Sequence, residues 1–250
     1  MVRYSIYTNP GSREINEDTG AAALNDKSYC FAIADGLGGH GGGEIASQAA
    51  INTICTKFVE TGYSEHFFEQ AFQEAQQAIW QEQEEKMAPS RMKTTLVILV
   101  IHGGQAIWAH IGDSRLYIFK RKHLKKRTMD HSVPQMLAIS GEISEKEIRH
   151  HPDRNRLMRV MGVRGETPRY EQSSPIKLNG EHQFLLCTDG FWELIDENEM
   201  ERTLRESSTP EEWLEKMQTI IAQNGQNTDM DNYSAIAIFA QGESLFRKWL

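Results

Sequence analysis

The chain has little cysteine, a deficit of positive charge and no long apolar run, and each shortage removes a class of protein. No segment approaches the roughly 20 apolar residues that cross a bilayer, and the amino-terminal MVRYSIYTNPGSREINED has no apolar stretch of signal-peptide length. A soluble, cytoplasmic protein with no membrane partner is the expectation. The three cysteines, Cys30, Cys55 and Cys187, cannot all pair, and two sit inside apolar runs where a small hydrophobe serves. A reducing compartment fits that usage. With 27 Lys and Arg against 35 Asp and Glu, the net charge of −8 repels a polyanion, so nucleic acid is not an expected partner. The basic run at residues 120–126 follows an apolar strand-like segment and reads as a solvated hairpin at a sheet edge. No Cys/His spacing suits a zinc site, and His110, His150 and His151 read as isolated structural or surface residues.

What is present suffices for one core. A chain of 250 residues, 39% hydrophobic and 25% charged, is expected to fold as a single domain over 1–250. Runs rich in β-branched and aromatic residues mark strands at 2–8, 29–34, 95–102, 105–111, 115–119, 183–187 and 233–239. Gly103-Gly104 and Gly112-Asp113-Ser114 are tight junctions, which predicts an antiparallel meander for the three strands they join. Helical patterns run over 44–60 and 64–87, with Thr61-Gly62 as the stop between them, and again over 210–223, where Thr209 is the expected cap. Phe67, Phe68, Ala71, Phe72, Ala75, Ala78 and Ile79 share one helix face and belong to a core. Residues 140–172 mix charges, carry Pro152 and Pro168, and read as a flap-like excursion from sheets that resume after it. Many strands with a helix hairpin interposed suggest sheet layers covered by helices. No apolar stripe is left exposed in this reading, so a monomer is favoured.

The acids carry the chemistry. Asp35-Gly36 and Asp189-Gly190 each follow an apolar run, so both carboxylates emerge at the end of a buried strand. Glu17 and Asp18 lie after the first strand, Asp113 sits in a Gly-Asp-Ser-Arg junction, and Asp231 immediately precedes the last strand. Any one Asp-Gly is most simply a turn. Several acids gathered at strand ends raise one another's pKa and resist ionisation, and divalent cations relieve that cost. An oxygen-only ligand set suits Mg²⁺ or Mn²⁺.

Read in order, Arg13-Glu14-Ile15-Asn16-Glu17-Asp18, Ala34-Asp35-Gly36-Leu37-Gly38-Gly39-His40, Thr94-Thr95-Leu96, Ile111-Gly112-Asp113-Ser114-Arg115, Asp130-His131-Ser132, Leu186-Cys187-Thr188-Asp189-Gly190 and Asp231-Asn232-Tyr233-Ser234 resemble the motifs of the metal-dependent (type 2C) protein phosphatase family. The likeness is to its compact bacterial branch. It implies an α+β fold, a four-layer αββα sandwich of two antiparallel β-sheets flanked by helix pairs. It also implies a serine/threonine phosphatase that hydrolyses phosphoserine and phosphothreonine by direct attack of a hydroxide bridging two metal ions. By that likeness Asp35 bridges both Mg²⁺ or Mn²⁺ ions, Gly36 lends its carbonyl, and Asp189 and Asp231 hold the second ion. Asp113 with Asp189 forms a third site, Glu17 and Asp18 orient waters from behind the ligands, and Arg13 binds the substrate phosphate. Phosphoproteins, and a cognate Ser/Thr kinase, are the implied partners. No cysteine has an arginine six positions on, so the thiolate route to phosphate hydrolysis lacks its parts. Two positions depart from the family pattern: Leu37 stands where many eukaryotic relatives have His, and Lys93 where the family has Gly.

Two rivals are weaker. Gly36-Leu37-Gly38-Gly39-His40-Gly41 fits the dinucleotide-binding pattern Gly-x-Gly-x-x-Gly, yet two helices intervene before the next strand where a parallel crossover is required. A catalytically dead relative is expected to lose a ligand, and every acidic motif position is filled.

Overall fold

The computed structural model describes residues 1–26, 28–38, 41–87 and 92–242; the Gly39-His40 pair of the glycine-rich motif lies outside them. The chain opens with β1 (Val2–Asn9), β2 (Asp18–Asn25) and β3 (Ser28–Leu37), followed by α1 (Gly42–Thr61) and α2 (Phe67–Glu85). Next come β4 (Lys93–Thr94), β5 (Leu96–His102), β6 (Gln105–Ile111), β7 (Arg115–Lys120), β8 (His123–Arg127) and α3 (Val133–Ser140). After a 3-10 turn at Ile148–His150 the chain continues through β9 (Glu171–Gln172), β10 (Ile176–Lys177) and β11 (Glu181–Cys187). It then forms α4 (Asp189–Trp192), α5 (Glu197–Arg205), α6 (Pro210–Asn224) and β12 (Tyr233–Gln241).

One sheet runs β1-β12-β11-β7-β8 and the other β10-β6-β5-β3-β2, with β4 added to β3 and β9 to β6; the pairings are antiparallel. Side-chain alternation builds three cores from two sheets. On β3, Phe31 and Ile33 face the space between the sheets, while Cys30, Ala32 and Ala34 face α1 and α2. On β12, Ile236 and Ile238 face inward and Ala235 and Ala237 lie under α5 and α6. Large residues fill the gap between the sheets and alanines let the helices close on their outer faces. The layers are helices, sheet, sheet, helices, as the family resemblance implied.

The expected meander is incorrect at its third strand. β5 and β6 pair, but β7 pairs with β11 and β8 in the opposite sheet. Both β6 and β7 are buried along nearly all of their length, so each is covered by layers rather than set as a hairpin at an edge. Gly112, at φ +100°, makes the swerve between sheets, and a Cβ there would come within 2.6 Å of the Thr95 side chain. The swerve carries Asp113 to the end of the sandwich. The basic run behaves as read: Arg121 and Lys122 adopt positive φ in the turn to β8, a largely exposed edge strand. Thr209 caps α6, its side chain accepting from the Glu212 N–H at 3.2 Å.

Candidate active site

Each acid singled out in the sequence is delivered to one end of the sandwich by a strand terminus. Asp18 opens β2 directly opposite Asp35 near the end of β3. The Asp35 main chain is held by Thr94 and Thr95: its N–H donates to Thr95 Oγ1 at 3.0 Å, and its carbonyl accepts from Thr94 Oγ1 at 2.8 Å and from the Thr95 N–H at 2.9 Å. Gly36 abuts Gly43 at the start of α1 so closely that a Cβ on Gly36 would lie 2.2 Å from the Gly43 carbonyl oxygen. Only glycine permits that approach, which brings the Asp35-Gly36 turn, Glu17 and the first turn of α1 together. Glu17 accepts from the Gly43 N–H at 3.2 Å, and the Glu17 N–H donates to Asn232 Oδ1 at 2.8 Å. Asn232 also donates to the carbonyls of Pro10 and Ile15, tying the loop that carries Arg13 and Glu17 to Asp231.

Asp18 and Asp113 are buried and Asp35 and Asp189 half-buried, with little positive charge around them among the described residues. Burial, and then the charges of Asp189, Asp18 and Asp113, push the Asp35 carboxyl well above its usual range. Asp113 is displaced the same way by burial and by Asp189 and Asp130, and Asp189 by burial and Asp231. The Asp189 charge is the largest acidic cause of the rise at both Asp35 and Asp113. Asp18 is pushed up to about 7 by burial even though Thr188 Oγ1 donates to its Oδ2 at 2.8 Å; its Oδ1 is buried without a hydrogen-bond partner among the described residues. Glu17 is raised as well, chiefly by burial. An orphaned carboxylate oxygen and several carboxylates that resist ionisation together are what a hard divalent ion relieves, so this donor set fits Mg²⁺ or Mn²⁺.

Arg13 is the cation at the mouth. Its Nε donates to Asp231 Oδ1 at 3.2 Å and its Nη2 to Oδ2 at 3.4 Å, with Nη1 3.5 Å from Asp229. Both Arg13 and Asp231 are 46% exposed, so the pair is solvated and exchangeable. Sequence reasoning missed Glu193, one helical turn beyond Asp189 and pushed up to about 7 by burial and then Asp189. Arg154 of the flap donates to it at 3.0 Å. The four-residue spacing from Asp189 was the available signal. Thr188, Asn232 and Trp192 were also missed as supports; Trp192 Nε1 donates to the Asp113 carbonyl at 3.0 Å.

The tightest grouping of possible metal donors among the described residues is elsewhere: donor atoms of His110, His131 and Glu171 all lie within 4.8 Å of one another. His110 is therefore not isolated as expected; its ring stacks on His131 at 4.8 Å. The hydrogen bonds argue against a metal there. His110 Nε2 donates to the Met129 carbonyl at 2.8 Å, which leaves Nδ1 free as a ligand, but His131 Nδ1 accepts from the Gly112 N–H at 3.1 Å. Neutral His131 must then carry its proton on Nε2, the nitrogen facing the group, 3.3 Å from Glu171.

Residues 11–233 match the sequence family described as Protein phosphatase 2C. The serine/threonine phosphatase stp of Listeria monocytogenes serotype 4b is 32% identical over 204 residues, 79% of this chain and 80% of that protein. Among solved structures, serine/threonine phosphatase Stp1 from Staphylococcus aureus has a TM-score of 0.86 at 25% identity, covering 97% of this chain and 96% of that one. The catalytic domain of the phosphatase PstP, in complex with 2 manganese ions, has a TM-score of 0.80 at 24% identity, covering 95% and 97%, a likeness of fold.

Proposed function

The chain belongs to the protein phosphatase 2C family and is a metal-dependent protein serine/threonine phosphatase, and from that premise we propose how its own residues serve the reaction. Asp35, the Gly36 carbonyl, Asp189 and Asp231 hold two divalent ions, Mg²⁺ or Mn²⁺, and Asp113 with Asp189 holds a third. When bound, the ions supply Lewis-acid charge to the phosphoryl oxygens and lower the pKa of water. The observation that carries this reading is the convergence of Asp35, Asp113 and Asp189 at one end of the sandwich, each with its carboxyl raised by burial and by another acid of the group.

The remaining roles follow from position. Arg13 presents a planar fork that matches two phosphoryl oxygens, and its solvated pairing with Asp231 is exchanged for the substrate phosphate. Glu17, anchored on the first turn of α1, and Asp18, anchored on Thr188, orient solvent at the site. Leu37 offers no proton donor, so the departing serine or threonine oxygen takes its proton from solvent. Water is added across the phosphoester and no covalent phosphoenzyme is formed. The substrates are phosphoserine and phosphothreonine proteins, a Ser/Thr kinase being the natural counterpart, and the protein acts as a monomer in the cytoplasm, consistent with its unpaired cysteines. No helix among the described residues is long and apolar enough to cross a membrane.

Hydrolysis of a phosphothreonine peptide tests this directly. Turnover that requires Mn²⁺ or Mg²⁺, stops with EDTA and is absent in Asp35→Asn is the expected result; turnover that survives complete chelation contradicts it.

A further inference from the structure

Beside the acid cluster, between the flap and the sandwich, lies a cavity of about 220 Å³ whose lining includes Gln76, Lys93, Ile111, Arg159, Glu166 and Arg169. Its position is fixed by the strand that also holds the candidate metal loop. In the β3–β4 pairing Thr94 stands opposite Gly36 and Lys93 opposite Leu37. Thr94 Oγ1 donates to the Asp35 carbonyl, while on the flap side the Thr94 and Met161 main chains exchange hydrogen bonds at 2.8 and 3.3 Å. Lys93 is thus one residue removed from the strand position that secures Asp35.

The flap wall is held firmly. Gln76, only 3% exposed, accepts from the Gly162 N–H at 2.7 Å and donates to the carbonyls of Val163 and Glu166 at 3.0 and 3.2 Å. Gln83, fully buried, donates to the carbonyls of Met92 and Gly162 at 2.8 and 2.7 Å. Two buried glutamines of α2 therefore fasten the flap to the core, and the cavity is built before any ligand arrives.

Its charges are unbalanced. Arg159 lies 3.7 Å from Glu171, and Arg169 lies 3.7 Å from Glu166 in a pair 70% and 57% exposed, too solvated to be strong. Lys93 makes no ion pair among the described residues. The flap at 140–172 carries seven Lys and Arg against six Asp and Glu in a chain of 27 against 35, so an anionic substrate meets less repulsion here than over the acidic surface as a whole.

We propose that Lys93, with Arg159 and Arg169, forms an anion subsite next to the catalytic centre, which selects phosphopeptides carrying a second negative group beside the hydrolysed phosphoresidue. The group is an Asp or Glu carboxylate or a second phosphoryl. This rests on the phosphatase reading above and names the substrate class of the same site.

The test compares kcat/KM of the native protein with Mn²⁺ on three phosphothreonine peptides, with neutral flanks, with glutamates on both sides, or with a second phosphothreonine adjacent. The expected result is a preference of about fivefold, the size of one good partly exposed ion pair, for one or both anionic peptides over the neutral one, and which of them is preferred identifies the source of the charge. The preference shrinks as salt rises, disappears in Lys93→Gln and reverses in Lys93→Glu. Equal kcat/KM on all three peptides overturns the subsite, as does a preference that both Lys93 variants retain. Absence of turnover on every peptide, and on p-nitrophenyl phosphate, sinks the phosphatase reading itself and the subsite with it.

Discussion

Two sets of carboxylates, buried or half-buried, meet at the same end of this fold, and they differ in what neutralises them. Asp130 is 1% exposed at its side chain and is gripped by Arg115, whose Nε and Nη2 donate to its two oxygens at 2.8 and 2.6 Å. Arg115 Nη1 donates to the Tyr117 hydroxyl at 3.0 Å, and the guanidinium lies 3.4 Å from the centre of the Trp192 ring. Among the described residues, Asp113, two residues before that arginine, has no such partner and neither does Asp35. One acid has a permanent counter-ion built into the chain; the others stand against one another. A resident cation makes a strut, whereas acids without one make a place for an ion that comes and goes with solvent, so the comparison separates scaffold from site within one motif, Gly112-Asp113-Ser114-Arg115.

The largest effect is expected where that difference is erased on the site side. Asp35→Asn should lower kcat by about 1,000-fold or more, since several kcal/mol of charge stabilisation accompanies the ions, while the metal-free variant unfolds at a higher temperature than the native chain because one of the acids that oppose each other's ionisation is gone. Near-normal turnover in a steady-state assay refutes the assignment. On the strut side the signs reverse: Asp130→Asn leaves buried Arg115 only the more distant Glu197, 3.9 Å from its Nη1, as a counter-ion and should cost about 3 kcal/mol of stability in denaturant unfolding, and a change below about 0.5 kcal/mol would be that of an ordinary surface site.

Smaller effects sharpen the contrast. Asp113→Ala should raise the Mn²⁺ concentration for half-maximal activity by about tenfold, within the range for tuning a metal site, while two ions still bind in calorimetry; loss of those two ions shows that Asp113 is misassigned. The smallest is a pH effect. Asp18 is held up to about 7 in the fold against an ordinary 3.8, so the folded state binds the extra proton, its stabilising contribution is complete below pH 3.8 and it is lost as pH rises through 7. His131, held down to about 4 by burial and His110, acts in the opposite sense below its ordinary 6.5, so the native chain should be read against Asp18→Asn. Without metal, native stability relative to that variant should fall by of order 1 kcal/mol or more between pH 4 and 7. A difference that grows with pH contradicts the assigned environment of Asp18.

Much of the scaffold was legible because its signals are local. β6 matches the strand read at 105–111, and β1, β3, β5, β7, β11 and β12 each contain the run read for them or differ by a residue, since apolar strands between two covered faces are continuous in sequence and the edge strand β1 alternates instead. β2 was missed because Asp18-Thr19-Gly20-Ala21-Ala22-Ala23 has low strand propensity and is held by pairing along β3 and by α1. α5 was missed because Met200 and Leu204 are its only large buried apolar residues. The sheet change at Gly112 could not be read, because a tight glycine turn looks alike whether it folds a hairpin or crosses to the other layer. The acids were legible as strand ends, but the division of labour between Asp113 and Asp130 depends on which one Arg115 reaches, a tertiary fact.

Anomalous diffraction from crystals soaked in Mn²⁺ asks most directly whether the unpartnered acids are a metal site. The account predicts strong peaks enclosed by Asp35, Asp189 and Asp231, with a weaker one at Asp113. Manganese found only beside His110, His131 and Glu171, or no peak within coordinating distance of Asp35, would contradict it.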